Sequence, residues 1–134
     1  MDKNQNINRV LDANINRARE GIRVLEDVAR FIFIDRETTD TLRTCRHALD
    51  KSVRKIYPQL LMARDSGDDL GRKFKEAKRN NLQGLIIANF KRVEEAVRVL
   101  EEFSKLISAR HGSIFKGIRF KMYQAEKKFM KRIL

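Results

Sequence analysis

Residues 13–26 read Ala-Asn-Ile-Asn-Arg-Ala-Arg-Glu-Gly-Ile-Arg-Val-Leu-Glu, and residues 88–101 read Ala-Asn-Phe-Lys-Arg-Val-Glu-Glu-Ala-Val-Arg-Val-Leu-Glu. At a constant offset of 75, the identical positions are Ala13/Ala88, Asn14/Asn89, Arg17/Arg92, Glu20/Glu95, Arg23/Arg98, Val24/Val99, Leu25/Leu100 and Glu26/Glu101. Apolar matches alone would signal only a shared core face. Here Asn, Arg and Glu keep the same register, so one polar surface is written twice. Two copies of a surface point to a site built between them.

The repeat sits in helical sequence. Proline occurs once, glycine is sparse, and Leu, Arg, Lys, Glu and Ala are plentiful. A first long helix is expected from about Asn8 to Ile34, with Asn6 or Asn8 as its cap. Thr38, Thr39 or Asp40 would cap a second helix ending near Tyr57, because the residue before Pro58 is disfavoured in the α region. Residues 62–71 are aperiodic and form the main loop, and a short helix is expected over 72–79. Asn80 or Asn81 opens a long helix to about Arg110. Gly112 suits a left-handed cap, and Ser113 would start the last helix. The second helices match weakly at offset 76, Leu42-Arg43 against Ile118-Arg119 and Asp50-Lys51 against Glu126-Lys127. The expected fold is all-α, a single domain over 1–134. Its halves, about 8–57 and about 81–132, are duplicated αα-hairpins that form a four-helix core with pseudo-twofold symmetry.

Bulk properties narrow the function. One cysteine, Cys45, excludes a disulfide framework and a multi-cysteine zinc site. A reducing, cytoplasmic setting is the simpler expectation. The polar first residues carry no secretory signal, and runs such as Phe31–Ile34 are too short for a membrane span, which needs about 20 residues. Net charge is +12. Residues 1–37 are neutral and 105–134 carry +8, so the excess lies outside the repeat helices. Such a field attracts polyanions, either nucleic acid or phosphorylated small molecules.

On a helical wheel, Val10, Leu11, Ala18, Ile22, Leu25, Val28, Ala29 and Ile32 form one apolar arc. Arg19, Arg23, Glu26, Asp27 and Arg30 fall opposite it. Asn14 lands inside the arc with Arg17 beside it, and Gly21 leaves space one turn on. The second copy places Asn89 and Arg92 in the arc of Ile86, Val93, Ala96, Val97, Leu100, Phe103 and Ile107. An unpartnered amide facing a core costs roughly 2–7 kcal/mol, so these groups need partners. Two readings are open. One is a buried Asn–Arg–Glu network that fixes the register of the hairpins. The other is a polar cavity at the centre of the bundle. In that cavity Arg17 and Arg92 clamp a phosphate, and Glu20 and Glu95 orient them from one turn away.

Weaker signals lie elsewhere. The loop Arg64-Asp65-Ser66-Gly67-Asp68-Asp69-Leu70-Gly71 offers oxygen ligands for Mg2+ through Asp65 and Asp68, against the alternative of a solvated turn. Arg43, Arg46 and His47 cluster on the second helix, as a solvated face or as a phosphate contact. Phosphate loops, dinucleotide fingerprints, nucleophile elbows and zinc-binding His-Glu-x-x-His helices are all absent.

Three segments together resemble a known family. They are Leu11-Asp12-Ala13-Asn14 through Glu26, Ala63-Arg64-Asp65-Ser66 through Gly71, and Ala88-Asn89-Phe90 through Glu101-Glu102. They are similar to the helical domain found fused in front of thiamine-phosphate synthase (pyrophosphorylase), which also occurs as a free-standing protein. The resemblance covers essentially the whole chain, and the synthase barrel is not in it. It implies a non-classical hydroxymethylpyrimidine phosphate kinase of thiamine biosynthesis, with ATP as co-substrate and Mg2+ as cofactor. The site residues under that reading are Arg17, Arg92, Asn14 and Asn89, with Arg64, Glu20, Glu95 and Arg43 binding substrate and Asp65 and Asp68 holding the metal. Two other classes are open. One is a non-catalytic partner of thiamine-phosphate synthase acting in trans. The other, less favoured, is a nucleic-acid binder using Lys116, Arg119, Lys121, Lys127, Lys128, Lys131 and Arg132. A homodimer is compatible with any of them.

Overall fold

A computed structural model describes residues 3–134 of the chain. Four long helices carry the fold: α1 (Lys3–Asp27), α2 (Arg36–Val53), α4 (Leu82–Ser104) and α5 (Ala109–Ile133), with a short α3 (Tyr57–Ala63) between the halves. No strand is present among the described residues. None of their helices is long and apolar enough to cross a membrane. The helices pack in a closed ring, α1 on α2, α2 on α5, α5 on α4 and α4 on α1. This is the expected duplicated hairpin, with α1 equivalent to α4 and α2 to α5.

Apolar residues recur at three and four along each helix and meet in one core. Ile15, Ile22 and Leu25 from α1, Leu42 and Leu49 from α2, Phe90, Val97 and Leu100 from α4, and Phe115, Met122 and Phe129 from α5 lie in it. The rings of Phe90 and Phe129 meet edge to face at 5.0 Å, a favoured aromatic geometry. Closest approach is between α1 and α4. A Cβ on Gly21 would lie 2.6 Å from Val93 Cγ2. Gly21 faces Asn89, Arg92 and Val93, while Arg17 shares a cavity with Ala96. Moving back along α1 moves forward along α4, so the two copies cross antiparallel about the pseudo-twofold.

Several boundaries differ from the sequence expectations. α1 leaves α geometry at Asp27 and continues as a π-helical turn over Val28–Phe33. Ile34 then closes it at φ 52°, the one described non-glycine residue in the left-handed region. The expected caps Thr38, Thr39 and Asp40 lie inside α2. Its cap is Asp35, which accepts from Thr38 N at 3.1 Å and from Thr38 Oγ1 at 2.8 Å. The backbone bond from Thr38 holds the Asp35 carboxyl below its ordinary range. Asp35→Ala is expected to lower stability by about 1 kcal/mol; Asp35→Asn, which keeps an acceptor, should recover part of it. Equal urea midpoints for wild type and Asp35→Ala would remove this cap from the account.

Pro58 does not end the second helix. α2 stops at Val53, and Pro58 opens α3 in its first turn, where no amide hydrogen is needed. Residues 72–79 form no α-helix: a single 3-10 turn covers Leu70–Lys73, Phe74 is extended, and no regular element covers 75–80. α4 ends at Ser104, not near Arg110, and Ser108 begins α5. Gly112 is therefore buried within α5, without a left-handed backbone, and Ser113 is not a cap. Asn81 caps α4 as expected, accepting from Gly84 N at 2.7 Å.

The second helices also align at 73, not 76. The caps Asp35 and Ser108 correspond, as do the core triads Leu42, Cys45, Leu49 and Phe115, Ile118, Met122. Two bidentate ion pairs match in the same way. Arg46 Nε donates to Glu26 at 2.9 Å, and Arg119 Nε donates to Glu101 at 2.8 Å. The longer π-helical connection in the first half accounts for the difference.

Candidate functional site

The chain between the halves lies against the outer side of the two repeat helices. Three neighbouring cavities open there, and Arg17 lines all of them. The first, about 340 Å3, lies between α1 and the 64–69 loop and is lined by Arg9, Asp12, Glu20, Arg64, Asp65 and Asp69 among others. The second, about 510 Å3, adds Asn14, Asp68 and Leu70. The third, about 350 Å3, is bounded by Arg17, Arg79, Ala88, Arg92, Glu95 and Ala96. Three guanidinium groups against one carboxylate make it the most basic of the three.

The antiparallel crossing brings Arg17 and Arg92 to one cavity, but on the outer face of the helix pair and not at the centre of the bundle. Both are exposed. Arg17 Nη1 donates to Asn14 Oδ1 at a long 3.4 Å. Arg92 stands 3.7 Å from Glu76 of the irregular segment before α4.

Asn14 and Asn89 are buried, and each satisfies its amide within its own helix. Asn14 Nδ2 donates to Val10 O at 2.9 Å, and Asn89 Nδ2 donates to Leu85 O at 2.8 Å. Local back-bonding removes the need for the Asn–Arg–Glu network that the wheels left open. Glu20 and Glu95 are exposed and orient neither arginine; no ion pair or side-chain hydrogen bond involves them among the described residues. Asn89 lines none of the three cavities.

Arg64 is a wall of the first cavity, but its fork is already engaged. Its Nε and Nη2 donate to the two carboxylate oxygens of Asp12, both at 2.8 Å. That bond raises the Arg64 pKa above its ordinary value. The pair fixes the loop to α1, leaving Arg64 less freedom to follow a ligand than a free arginine has. Arg43 lies away from these cavities altogether, in a separate basic cavity beside Arg46 and His47.

The carboxylates divide differently from the expected Asp65–Asp68 pair. Asp65 and Asp69 share the first cavity, and Asp68 and Asp69 the second. Asp65 Oδ1 accepts from Asp68 N at 3.2 Å, and Asp69 Oδ1 from Gly71 N at 2.8 Å. One oxygen of each remains for another partner. No group of three or more His, Cys, Asp or Glu residues converges among the described residues. Two carboxylates suit Mg2+ when phosphate oxygens and water complete its shell.

Arg79, Asp12 and Asp69 are additions to the expected site. Asp12 and Asp69 fall within the quoted motifs, but nothing in their spacing distinguishes a cavity wall from a loop tie. Arg79 carries no signal, because it reaches the site on a segment without periodicity. Several basic residues of α5 are occupied. Arg119 holds Glu101, Lys128 stands 3.2 Å from Glu37, and Arg132 stands 3.5 Å from Asp35.

On α4, one symmetry-related exchange has an electrostatic consequence. In the first half Arg19 pairs with Asp50 at 2.7 Å. Its equivalent, Glu94, is buried beside Glu126, with Lys91 between them at 3.5 and 3.2 Å. Burial, then Glu126, pushes the Glu94 carboxyl up from 4.5 to about 7. The folded state therefore binds more protons than the unfolded chain between those values, and stability from this group falls as pH rises through them. Glu94→Gln is expected to flatten that fall and to stabilise the protein at pH 8. Urea unfolding at pH 5 and pH 8 measures it; an unchanged difference between the two pH values would sink the assignment.

Comparisons with known proteins agree with the sequence resemblance. The chain is 41% identical over 123 residues to a thiamine-phosphate synthase of Synechocystis sp., covering 90% of this chain and 35% of that protein. It is 36% identical over 129 residues to the Nostoc punctiforme protein of the same name, covering 94% of this chain and 36% of that one. It is 39% identical over 119 residues to the Rhodopirellula baltica one, covering 86% and 32%. The chain thus spans about a third of the length of these relatives. No solved structure matches it. A family model matches residues 9–128, nearly the whole described chain, and the protein belongs to the ThiD2 family.

Proposed function

We propose that the chain acts in thiamine biosynthesis as a kinase, transferring the γ-phosphoryl group of ATP to hydroxymethylpyrimidine phosphate. The observation that carries this reading is the meeting of both motif copies at one basic cavity, Arg17 and Arg92 with Arg79, next to a carboxylate-lined one. Phosphoryl transfer requires positioning and positive charge around the transferring group more than covalent help from the protein. An oxygen of the substrate monophosphate attacks the γ-phosphorus, the bond to the β-γ bridging oxygen breaks, and ADP leaves. The attacking oxygen is already anionic, so no strong general base is needed. Arg17, Arg79 and Arg92 bind and orient the phosphate oxygens, and Asp65 with Asp69 would hold Mg2+. When bound, the metal supplies charge neutralisation between the phosphates. The relatives' names support the pathway, and the one-third coverage fits a domain distinct from the synthase activity those names describe.

The test incubates the protein with Mg-ATP and hydroxymethylpyrimidine phosphate and follows the diphosphate. Product formation above a no-protein control is expected. Its absence, with thiamine-phosphate synthase present to draw product off, would overturn the reading. A second reading, a non-catalytic partner of the synthase, is favoured by one observation. Phe31 and Ile32 are exposed, and so are their repeat equivalents Leu106 and Ile107. Co-elution with the synthase on a sizing column, without turnover, would favour it.

A further inference from the structure

We propose that the cavity between the end of α1 and the start of α2 is a second anion site, taking a phosphorylated small molecule independently of Arg17. Its volume is about 680 Å3, within the range of small-molecule sites. It shares no lining residue with the three cavities that meet at Arg17.

The charge of its wall favours an anion. Arg23, Arg30, Arg36, Arg43 and Arg46 line it against Glu26, Asp35 and Asp40, a net +2. The carboxylates are largely spoken for. Glu26 takes the Arg46 fork, and Asp35 caps α2 and faces Arg132. Asp40 stands 4.0 Å from Arg36. Arg43 has no partner among the described residues, and Arg30 only stacks over Phe31 at 4.7 Å. Two guanidinium groups are therefore available to an incoming phosphate without breaking an ion pair, and forked donors suit phosphate oxygens.

The pseudo-twofold shows that this space is particular to the first half. Across it, the equivalent Glu101–Arg119 pair is covered. Arg119 stacks over Phe120 at 5.1 Å and Tyr123 at 5.7 Å, and Tyr123 Oη accepts from Arg119 Nη1 at 3.3 Å. At offset 73 those aromatic positions are His47 and Asp50. The first half lacks the aromatic cover, and its Glu26–Arg46 pair borders open space.

The backbone at the rim is unusual as well. Arg30 stands in the π-helical turn, a rare geometry that recurs at functional sites. Ile34, on the rim, holds φ 52° and is 81% exposed. A β-branched residue resists that conformation; here it is the left-handed cap of the π-helical turn, with its N–H bonded to Ala29 O. Strain of this kind concentrates at ligand sites.

Pyrophosphate, inorganic phosphate and ATP are the probes, each titrated into isotope-labelled full-length protein while amide shifts are followed by NMR. Pyrophosphate is expected to shift amides of residues 30–47. Arg30→Gln combined with Arg43→Gln should weaken that binding at least about tenfold. Arg17→Ala with Arg92→Ala should leave it within about twofold, which separates this site from the proposed catalytic one. ATP shifting the same amides more tightly than pyrophosphate would identify a nucleotide ligand; the reverse would identify a phosphate or diphosphate group without a nucleoside. Both replaced arginines are exposed and unpaired with carboxylates, so circular dichroism of the double variant should match wild type. No shift in 30–47 with millimolar pyrophosphate, or shifts that survive the double variant, would overturn the site.

Discussion

Arg17→Ala is expected to lower phosphoryl-transfer turnover on the order of 100-fold, with Arg92→Ala close behind, while neither changes the melting temperature appreciably. The two halves of this expectation rest on different observations. Arg17 lines all three cavities described above, and Arg92 faces it from the other copy of the motif. Removing a preorganised cation from a developing phosphoryl charge typically costs a few kcal/mol of transition-state stabilisation. Stability should hold because both side chains are exposed and weakly tied, one by a 3.4 Å bond to Asn14 and one by a 3.7 Å contact to Glu76. Substitutions at such places usually fall within about 0.5 kcal/mol. Arg17→Lys sharpens the measurement. It keeps the charge but loses the fork, so a large loss assigns bidentate recognition and a small one assigns charge alone. Full activity in both alanine variants would move the chemistry away from the crossing of α1 and α4.

Why the crossing was legible and its surroundings were not follows from where each signal resides. A repeat that keeps Asn, Arg and Glu in register needs only one chain to be seen, and a pseudo-twofold then pairs the copies. Asn81 was readable as a cap because its own side chain does the capping. Glu26 and Glu101 were not. The wheel set Glu26 on the solvent side, yet both are 5% exposed because Arg46 and Arg119 arrive from the neighbouring helices and cover them. A single helix carries no record of what packs on it. The end of α4 was missed for the opposite reason. Ser104 and the Lys105–Ile107 turn contain no glycine or proline, whereas Gly112 has the residue type of a stop and is a buried helical position, where a Cβ would make ordinary contact with Lys105 and Glu101. Residues 72–79 have helix-forming composition, but their irregular path lets Glu76 and Arg79 reach α4. Asn14 is a polar group facing the core, and its partner is the carbonyl one turn back, which a wheel does not show.

The second large effect concerns the geometry that holds the two arginines together. Gly21→Leu is expected to destabilise the fold by about 3 kcal/mol or more, and Gly21→Ala by about 1–2 kcal/mol, in spite of alanine's better helix propensity. Propensity favours Ala over Gly by about 1 kcal/mol in a helix interior. Against it stands a Cβ placed 2.6 Å from Val93 Cγ2. Val93 is fully buried, and a β-branched side chain in a helix has essentially one rotamer, so the methyl cannot swing aside. The helices must part, and the contacts of Ala18, Ile22 and Val97 loosen with them. Ala96, the equivalent of Gly21 in the other copy, is tolerated there, so the restriction belongs to this approach and not to the motif. A double-mutant cycle isolates the contact. Val93→Ala alone leaves a cavity and should cost stability; combined with Gly21→Ala it supplies the missing room, and the pair should be more stable than the sum of the two losses by about 1 kcal/mol. Simple additivity in urea unfolding would mean that α1 and α4 do not meet at this point. The spacing of Arg17 and Arg92, which that approach sets, would then have to come from somewhere else in the molecule.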